Sequence, residues 1–182
     1  MCEINPKKSQ TSQLPTETQV SFVPMADVNE NSMKFNVKQV KSLSDVSGSY
    51  TYFGDNDVLL AKVTPCLENG KAGIARDLKN GIGFGSSEFI VLRASARILP
   101  EIIYGIISSA DFREPAKAQM TGTGGLQRLS PEFVRKFKIP LPSLEVQKQL
   151  VDEMKKEETI IIANRQLIEL MENKITSVLS GV

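Results

Sequence analysis

The chain opens polar and turns apolar only after its first eighteen residues. Residues 1–18 hold Pro6, Pro15 and many Ser, Thr and Gln, a composition that predicts a loosely held lead-in. From Val20 onward the pattern changes to short β-branched or alternating runs, VSFVPM, DVLLAKV, KAGIAR and SEFIVLR. GDND, ENG and NGIGFGS separate them and supply turn residues, so these runs predict strands of a sheet with tight corners. At LPEIIYGIISSADFREPAKAQM the period lengthens. Pro100 suits a first helical turn with Glu101 behind it, and Ile102, Ile103, Ile106 and Ile107 share one helical face. Asp111 opens a second, short helix. SPEFVRKF repeats the start signal, with Ser130 as N-cap and Pro131 at the first helical position, before KIPLP returns to extended chain.

The last segment gives the strongest periodic signal. Ser143 can cap, Glu145 favours the positive helix end, and no Gly or Pro interrupts before Gly181. A helix from Ser143 to Ser180 would span roughly 57 Å at about 1.5 Å per residue. Taking Met154, Ile161, Ile168 and Ile175 as one seam position puts Leu150, Glu157, Asn164, Met171 and Val178 at the other. The stripe broadens at Ile160, Ile162 and Leu167, which predicts that something packs against it. The expected division is a globular part over 1–142 and a long helix over 143–182, with no internal repeat.

Composition narrows the chemistry. With 182 residues and 41% hydrophobic content the chain can bury a core, and its length favours one domain plus an appendage. No apolar run approaches membrane-spanning length and MCEINPKKSQ lacks the apolar segment of a signal peptide, so a cytoplasmic location without membrane contact is expected. Cys2 and Cys66 are too few for a disulfide framework and read as plain thiols. The chain has no histidine, which removes Ser-His-Asp and Cys-His nucleophile activation and imidazole metal sites. Carboxylate, Lys or Tyr chemistry stays open.

A net charge of +1 argues against a uniformly basic nucleic-acid binder, but the charge is unevenly spread. Residues 113–138 carry six Lys/Arg against two Asp/Glu, a net +4. From Ser143 onward five Lys/Arg face seven Asp/Glu, a net −2. Different partners are expected for the two parts.

Specific motifs for catalysis fail on their residues. ENGKAG has Pro65 where a phosphate loop needs Gly and Ala72 where it needs Ser or Thr. GIGFGS lacks the third spaced glycine of a dinucleotide fingerprint and precedes a strand, so it reads as a tight turn. A nuclease would take Asp57 and Glu68 as a carboxylate pair with Lys71, yet the local spacing is Glu-x-x-Lys with no second carboxylate near it. No catalytic residue, metal site or cofactor is expected.

Binding remains. TPCLENGKAG puts Thr64, Asn69 and Lys71 between two strands, with Lys62 and Arg76 flanking them, where side chains can reach a base edge or a phosphate. Asn69 with Gly70 is sufficiently explained as a turn; Lys71 together with the glycine-rich stretch TGTGGLQR points to a surface that contacts an anion.

In the order DVLLAKVTPCLENGKAGIA, SSEFIVLR, TGTGGLQRLSPEFVRKFKIPLPSLEVQKQLV and a long terminal helix, the sequence resembles the target-recognition repeat of Type I restriction-modification specificity subunits. The similarity runs from about Val20 to the C-terminus. It implies an α/β (α+β) recognition domain with a twisted, mainly antiparallel sheet and short helices, followed by a coiled-coil spacer helix. It also implies a role in reading one half of a split double-stranded DNA site, with chemistry left to an adenine-N6 methyltransferase subunit and a restriction/translocase subunit.

A complete member has two recognition units and two helices; this chain has one of each. It is therefore expected to be a half-size subunit that dimerises, an excised half, or the recognition end of a fused methylase-specificity polypeptide. Candidate DNA contacts are Lys62, Thr64, Asn69, Lys71, Arg76, Thr121, Thr123, Gln127, Arg128 and Arg135. Two readings of the 121–128 loop stand side by side, contact with DNA or packing against the base of the helix. The candidate homodimer seam is Leu150, Met154, Ile161, Asn164, Ile168, Met171 and Ile175. Competing functions are a coiled-coil scaffold that never meets DNA and a free-standing nuclease using Asp57 and Glu68.

Overall fold

The structure, a computed structural model, describes residues 2–181; Met1 and Val182, the outer ends of the two expected spans, lie outside it. In chain order the elements are β1 (Cys2–Ile4), β2 (Gln19–Val23), β3 (Gln39–Ser42), α1 (Leu43–Val46), β4 (Thr51–Gly54), β5 (Val58–Ala61), β6 (Ala72–Ile74), β7 (Ile82–Gly85) and β8 (Phe89–Ala94). There follow α2 (Pro100–Ser108), α3 (Ala110–Ala118), β9 (Thr121–Thr123), β10 (Leu126–Arg128), α4 (Pro131–Lys136) and α5 (Leu144–Ser180).

The strands form two four-stranded sheets rather than one. The first, in the order β1-β8-β5-β6, is antiparallel throughout. The second, β3-β2-β7-β4, contains a parallel β2–β7 pair between two antiparallel ones. Period-2 alternation explains how they stack. On β5, Val58 and Leu60 face a core shared with α2, α3 and the start of α5, whereas Leu59 faces Val23 and Phe53 of the other sheet. On β8, Ile90 and Leu92 take the helical side, and Phe89 and Val91 the inter-sheet side. Both faces are covered, which is why VLLA and FIVL read as unbroken apolar runs.

Two expectations need correction. The lead-in is not loose at its start: Cys2–Ile4 adds an edge strand to β8, and the Asn5 amide donates to the Val91 carbonyl at 2.8 Å. Cys2 and Ile4 pack on the helical core, enough apolar contact to hold a short strand that a composition average hides. Likewise GIGFGS is not a turn. The turn is made by Asn80 and Gly81, both at positive φ, and Ile82–Gly85 is an inner strand. Its glycines make room: a Cβ at Gly83 would lie 2.1 Å from the Phe53 ring.

Helices α2, α4 and α5 start where the sequence signals put them, α3 starts one residue before Asp111, and α1 carried no signal. Pro100 occupies the first turn of α2, and Ile102, Ile103 and Ile107 are buried. The Ser130 side chain accepts the Glu132 amide at the start of α4. Phe112 of α3 stacks edge-on against Phe133 and Phe137, fixing α4 to the helical core.

Helix α5 is two things in one element. Its first turns dock on the domain through buried Gln147 and Val151 and half-buried Met154, and the Met33 amide donates to Glu158 Oε1 at 3.2 Å. From Thr159 to Ser180 every residue is exposed, a stretch of about 33 Å at 1.5 Å per residue.

Candidate nucleic-acid interface

The glycine-rich stretch is a β-hairpin, not an irregular loop. Thr123 pairs with Leu126, Gly122 with Gln127 and Thr121 with Arg128. Directly paired residues share a face and successive residues alternate. Thr121, Thr123, Leu126 and Arg128 therefore line one side, and Gln127 shares the other with Gly122. Residues 121–128 are all exposed, including 47% of the Leu126 surface. Gly124 and Gly125 turn the tip at positive φ, with open space around both.

The hairpin is anchored at its base by the segment that follows β5. The Thr64 amide donates to the Gln127 carbonyl at 3.0 Å, and the Gln127 amide donates to Thr64 Oγ1 at 2.7 Å. The Thr64 hydroxyl also lies 3.2 Å from the Gly125 and Gln127 carbonyls. The Leu129 amide donates to the Lys62 carbonyl at 2.7 Å, and the Leu129 side chain is buried in the helical core. These hydrogen bonds tie the hairpin to residues 62–64, not to the base of α5.

Two candidate cations meet at that base on an acid that sequence reading passed over. Arg128 donates from Nε and Nη2 to Glu88, at 2.8 to 3.1 Å, and Lys62 Nζ lies 4.0 Å from the same carboxylate. Lys62 also donates to the Ser87 carbonyl at 2.8 Å. The hydrogen bonds from Arg128 hold the Glu88 carboxyl below its ordinary pKa, and the Arg128 guanidinium is raised in return. Glu88 is the second residue of SEFIVLR, where strand patterning drew attention away from its charge. Leu126 is the second omission; its exposure follows from the hairpin, which its residue type does not signal.

The other candidates are spread further. Asn69 donates to Glu30 Oε1 at 3.0 Å and Lys71 to the Met25 carbonyl at 3.4 Å, on the far rim of the same β5–β6 loop. There Asn31 joins Arg113 Nη1 at 3.0 Å and the Asn69 carbonyl at 3.4 Å. Arg76 is not brought to this surface. Antiparallel β5 and β6 put it at the opposite end of their hairpin, where it pairs with Glu101 of α2 and reaches Asn56. Arg135 is exposed on α4 and pairs with Glu132, one turn away, which lowers the Glu132 carboxyl.

The carboxylates of the nuclease reading are kept apart. Asp57, 1% exposed, accepts Arg93 Nε at 2.8 Å and Nη2 at 2.7 Å, and the Gly54 amide at 2.7 Å. Glu68 lies beyond the other end of β5. Among the described residues no three Asp, Glu or Cys side chains gather as a metal-holding group. No helix among them is long and apolar enough to cross a membrane.

The helix seam divides at the point where α5 leaves the domain. Met154 packs on the helical core and Leu150 is 41% exposed. Ile161, Ile168, Met171 and Ile175 are exposed, as are Asn164 and the flanking Ile160, Leu167 and Leu170.

A family model described as the Type I restriction modification DNA specificity domain matches residues 1–173. The chain is 32% identical over 191 residues to the Type I restriction enzyme EcoAI specificity subunit of Escherichia coli, covering 97% of this chain and 31% of that protein. It is 32% identical over 180 residues to the EcoEI specificity subunit of the same organism, covering 92% of this chain and 30% of the relative. The chain thus spans under one third of the length of these relatives.

Two solved structures share its fold. The HsdS subunit from Thermoanaerobacter tengcongensis superposes with a TM-score of 0.67 at 19% identity, over 84% of this chain and 39% of that one. A chain from a study of complex assembly and conformational transition of the type I R-M system gives 0.55 at 17% identity, over 88% of this chain and 37% of that one. From the match over residues 1–173 and the two relatives at 32% identity, the chain belongs to the Type I restriction modification DNA specificity domain family.

Proposed function

We propose that this chain is a single target-recognition repeat that reads one half of a split double-stranded DNA site. In this reading it carries out no chemistry and directs an adenine-N6 methyltransferase subunit and a restriction/translocase subunit to that site. The observation that carries the reading is the exposed β9–β10 ribbon, with Thr121, Thr123 and Arg128 on one face and Lys62 and Thr64 at its base. The major groove of DNA admits a two-stranded ribbon, and threonine hydroxyls can contact base edges there. Lys62 and Lys71 then meet phosphates, which position the ribbon without reading sequence.

A division at Ser143 gives the second half of the proposal. Residues 1–142 recognise DNA, and 143–182 form a spacer whose apolar stripe pairs with another helix. The run of exposed Ile161, Ile168, Met171 and Ile175 supports that pairing, because isolated soluble helices do not keep such a stripe in water. A second copy running antiparallel supplies the partner, bringing the two Asn164 side chains near the middle of the seam.

Base-preference profiling over randomised duplexes tests the DNA reading. Lys71→Ala weakens all sequences alike, whereas Thr121→Val or Thr123→Val relaxes preference at one position by about 1 to 3 kcal/mol. Uniform effects from all three substitutions would contradict it. Sedimentation equilibrium tests the pairing: a wild-type dimer should become monomeric in the Ile161→Glu, Ile168→Glu variant. A wild-type monomer, or a dimer that survives both charges, would refute the proposed seam.

A further inference from the structure

We infer that Glu88 is a built-in competitor for the DNA phosphate that Arg128 would otherwise bind, and that it lowers the chain's affinity for DNA of any sequence. The inference rests on the DNA-recognition reading and concerns the base of the same hairpin. Arg128 presents Nε and Nη2 to Glu88 in the two-pronged geometry with which arginine grips either a carboxylate or a phosphate. The fork is therefore occupied in the free protein. Lys62 lies 4.0 Å from the same carboxylate, so one acid holds two of the cations that the interface offers.

The pair sits at the surface rather than in the core. Side-chain exposure is 46% for Arg128, 25% for Glu88 and 23% for Lys62, which leaves the fork reachable without unfolding. Nor is the pair needed to fasten the hairpin: Thr64, Lys62 and Leu129 do that through backbone-directed hydrogen bonds. A phosphate approaching Arg128 has to displace Glu88, and the released carboxylate then stands beside a phosphate of like charge. Both effects oppose binding whatever the base sequence. Sequence-reading contacts along the ribbon are unaffected, so Glu88 holds the chain off non-target DNA while leaving its order of base preference intact.

The test is a charge-neutral replacement inside a double-mutant cycle. The full chain is measured as wild type, Glu88→Gln, Arg128→Gln and the double variant, by fluorescence anisotropy on a pool of random-sequence short duplexes across a salt series. Glutamine can still accept from Arg128, so the hairpin keeps a partner there, and equal urea midpoints for the wild type and Glu88→Gln confirm that the fold is intact.

One additional phosphate contact steepens the log–log salt slope by about 0.9 and, at about 0.1 M salt, tightens binding about eightfold. Glu88→Gln should show both changes, and most of the gain should disappear when Arg128 is already glutamine. A full gain in the Arg128→Gln background would overturn the inference, because it would mark Glu88 as a general repulsive charge. Unchanged or weaker binding by Glu88→Gln, beside a wild type that binds, would overturn it as well and identify Glu88 as a hairpin clamp. If no variant binds in a salt-sensitive way, the DNA reading itself fails, and the competitor role with it.

Discussion

Gln147 Oε1 accepts the Leu99 amide at 2.9 Å, while its Nε2 donates to the Arg97 carbonyl at 3.0 Å and the Pro142 carbonyl at 2.9 Å. One fully buried side chain thus ties the start of α5 to the segment before α2 and to the extended KIPLP stretch. Gln147→Leu takes the side-chain partner away from the Leu99 amide and the Arg97 and Pro142 carbonyls, each loss costing on the order of 1 kcal/mol. Urea unfolding should show a loss of about 2 to 4 kcal/mol, against almost none for Gln166→Leu on the exposed half of the same helix.

This anchor explains part of what the sequence could and could not reveal. The capping residues Ser130 and Ser143, the Pro100 helix start and the length of α5 were legible, because each depends on neighbours a few positions away. Gln147 was not: its three partners lie 5, 48 and 50 positions distant. Gly83 misled for the same reason, since only the Phe53 ring laid against it turns a glycine-rich turn signal into a strand. Among the site residues, Thr64, Gln127 and Arg128 stood out by residue type and are close together. Arg76 stood out equally and lies at the other end of a sheet, because charge says nothing about which end of a hairpin a residue occupies.

Gly122 is the backbone condition for the hairpin. Its φ is +150°, and a Cβ there would approach the Leu126 carbonyl oxygen to 2.2 Å. Gly122→Ala should abolish the cross-strand nuclear Overhauser contacts between Thr121 and Arg128 while leaving global unfolding nearly unchanged, because residues 121–128 contribute no buried side chain. Retention of those contacts would show that the hairpin tolerates a side chain at this position.

Asp57 and Arg93 form the most deeply buried ion pair described, closing the β4–β5 turn onto β8 beside the Tyr52 ring. Removing one partner strands the other. Asp57→Ala should destabilise the domain by about 3 kcal/mol in urea unfolding. A fold-neutral substitution that removed a magnesium-dependent nuclease activity would instead restore a catalytic role for this carboxylate.

The Glu88 carboxyl is lowered chiefly by its hydrogen bonds from Arg128, with Lys62 adding a smaller electrostatic contribution. A lowered carboxylate stabilises the folded state above its unfolded-state pKa, and that contribution is lost as pH falls through the folded-state value. A carboxyl-carbon NMR titration should therefore find Glu88 titrating below an ordinary glutamate. In Arg128→Gln it should move back up. An identical titration in both proteins would mean that the two side chains do not pair in solution.

The most direct test of the DNA-recognition account is the salt dependence of duplex affinity, compared between the wild type and a variant with Lys62, Lys71, Arg128 and Arg135 all replaced by glutamine. If Lys62, Lys71 and Arg135 each meet a phosphate while Glu88 holds Arg128, the wild-type log–log slope should be about −2.7 and the variant slope close to zero, at about −0.9 per contact. A folded wild-type chain whose duplex affinity ignores salt, or whose slope survives loss of all four cations, would contradict the account.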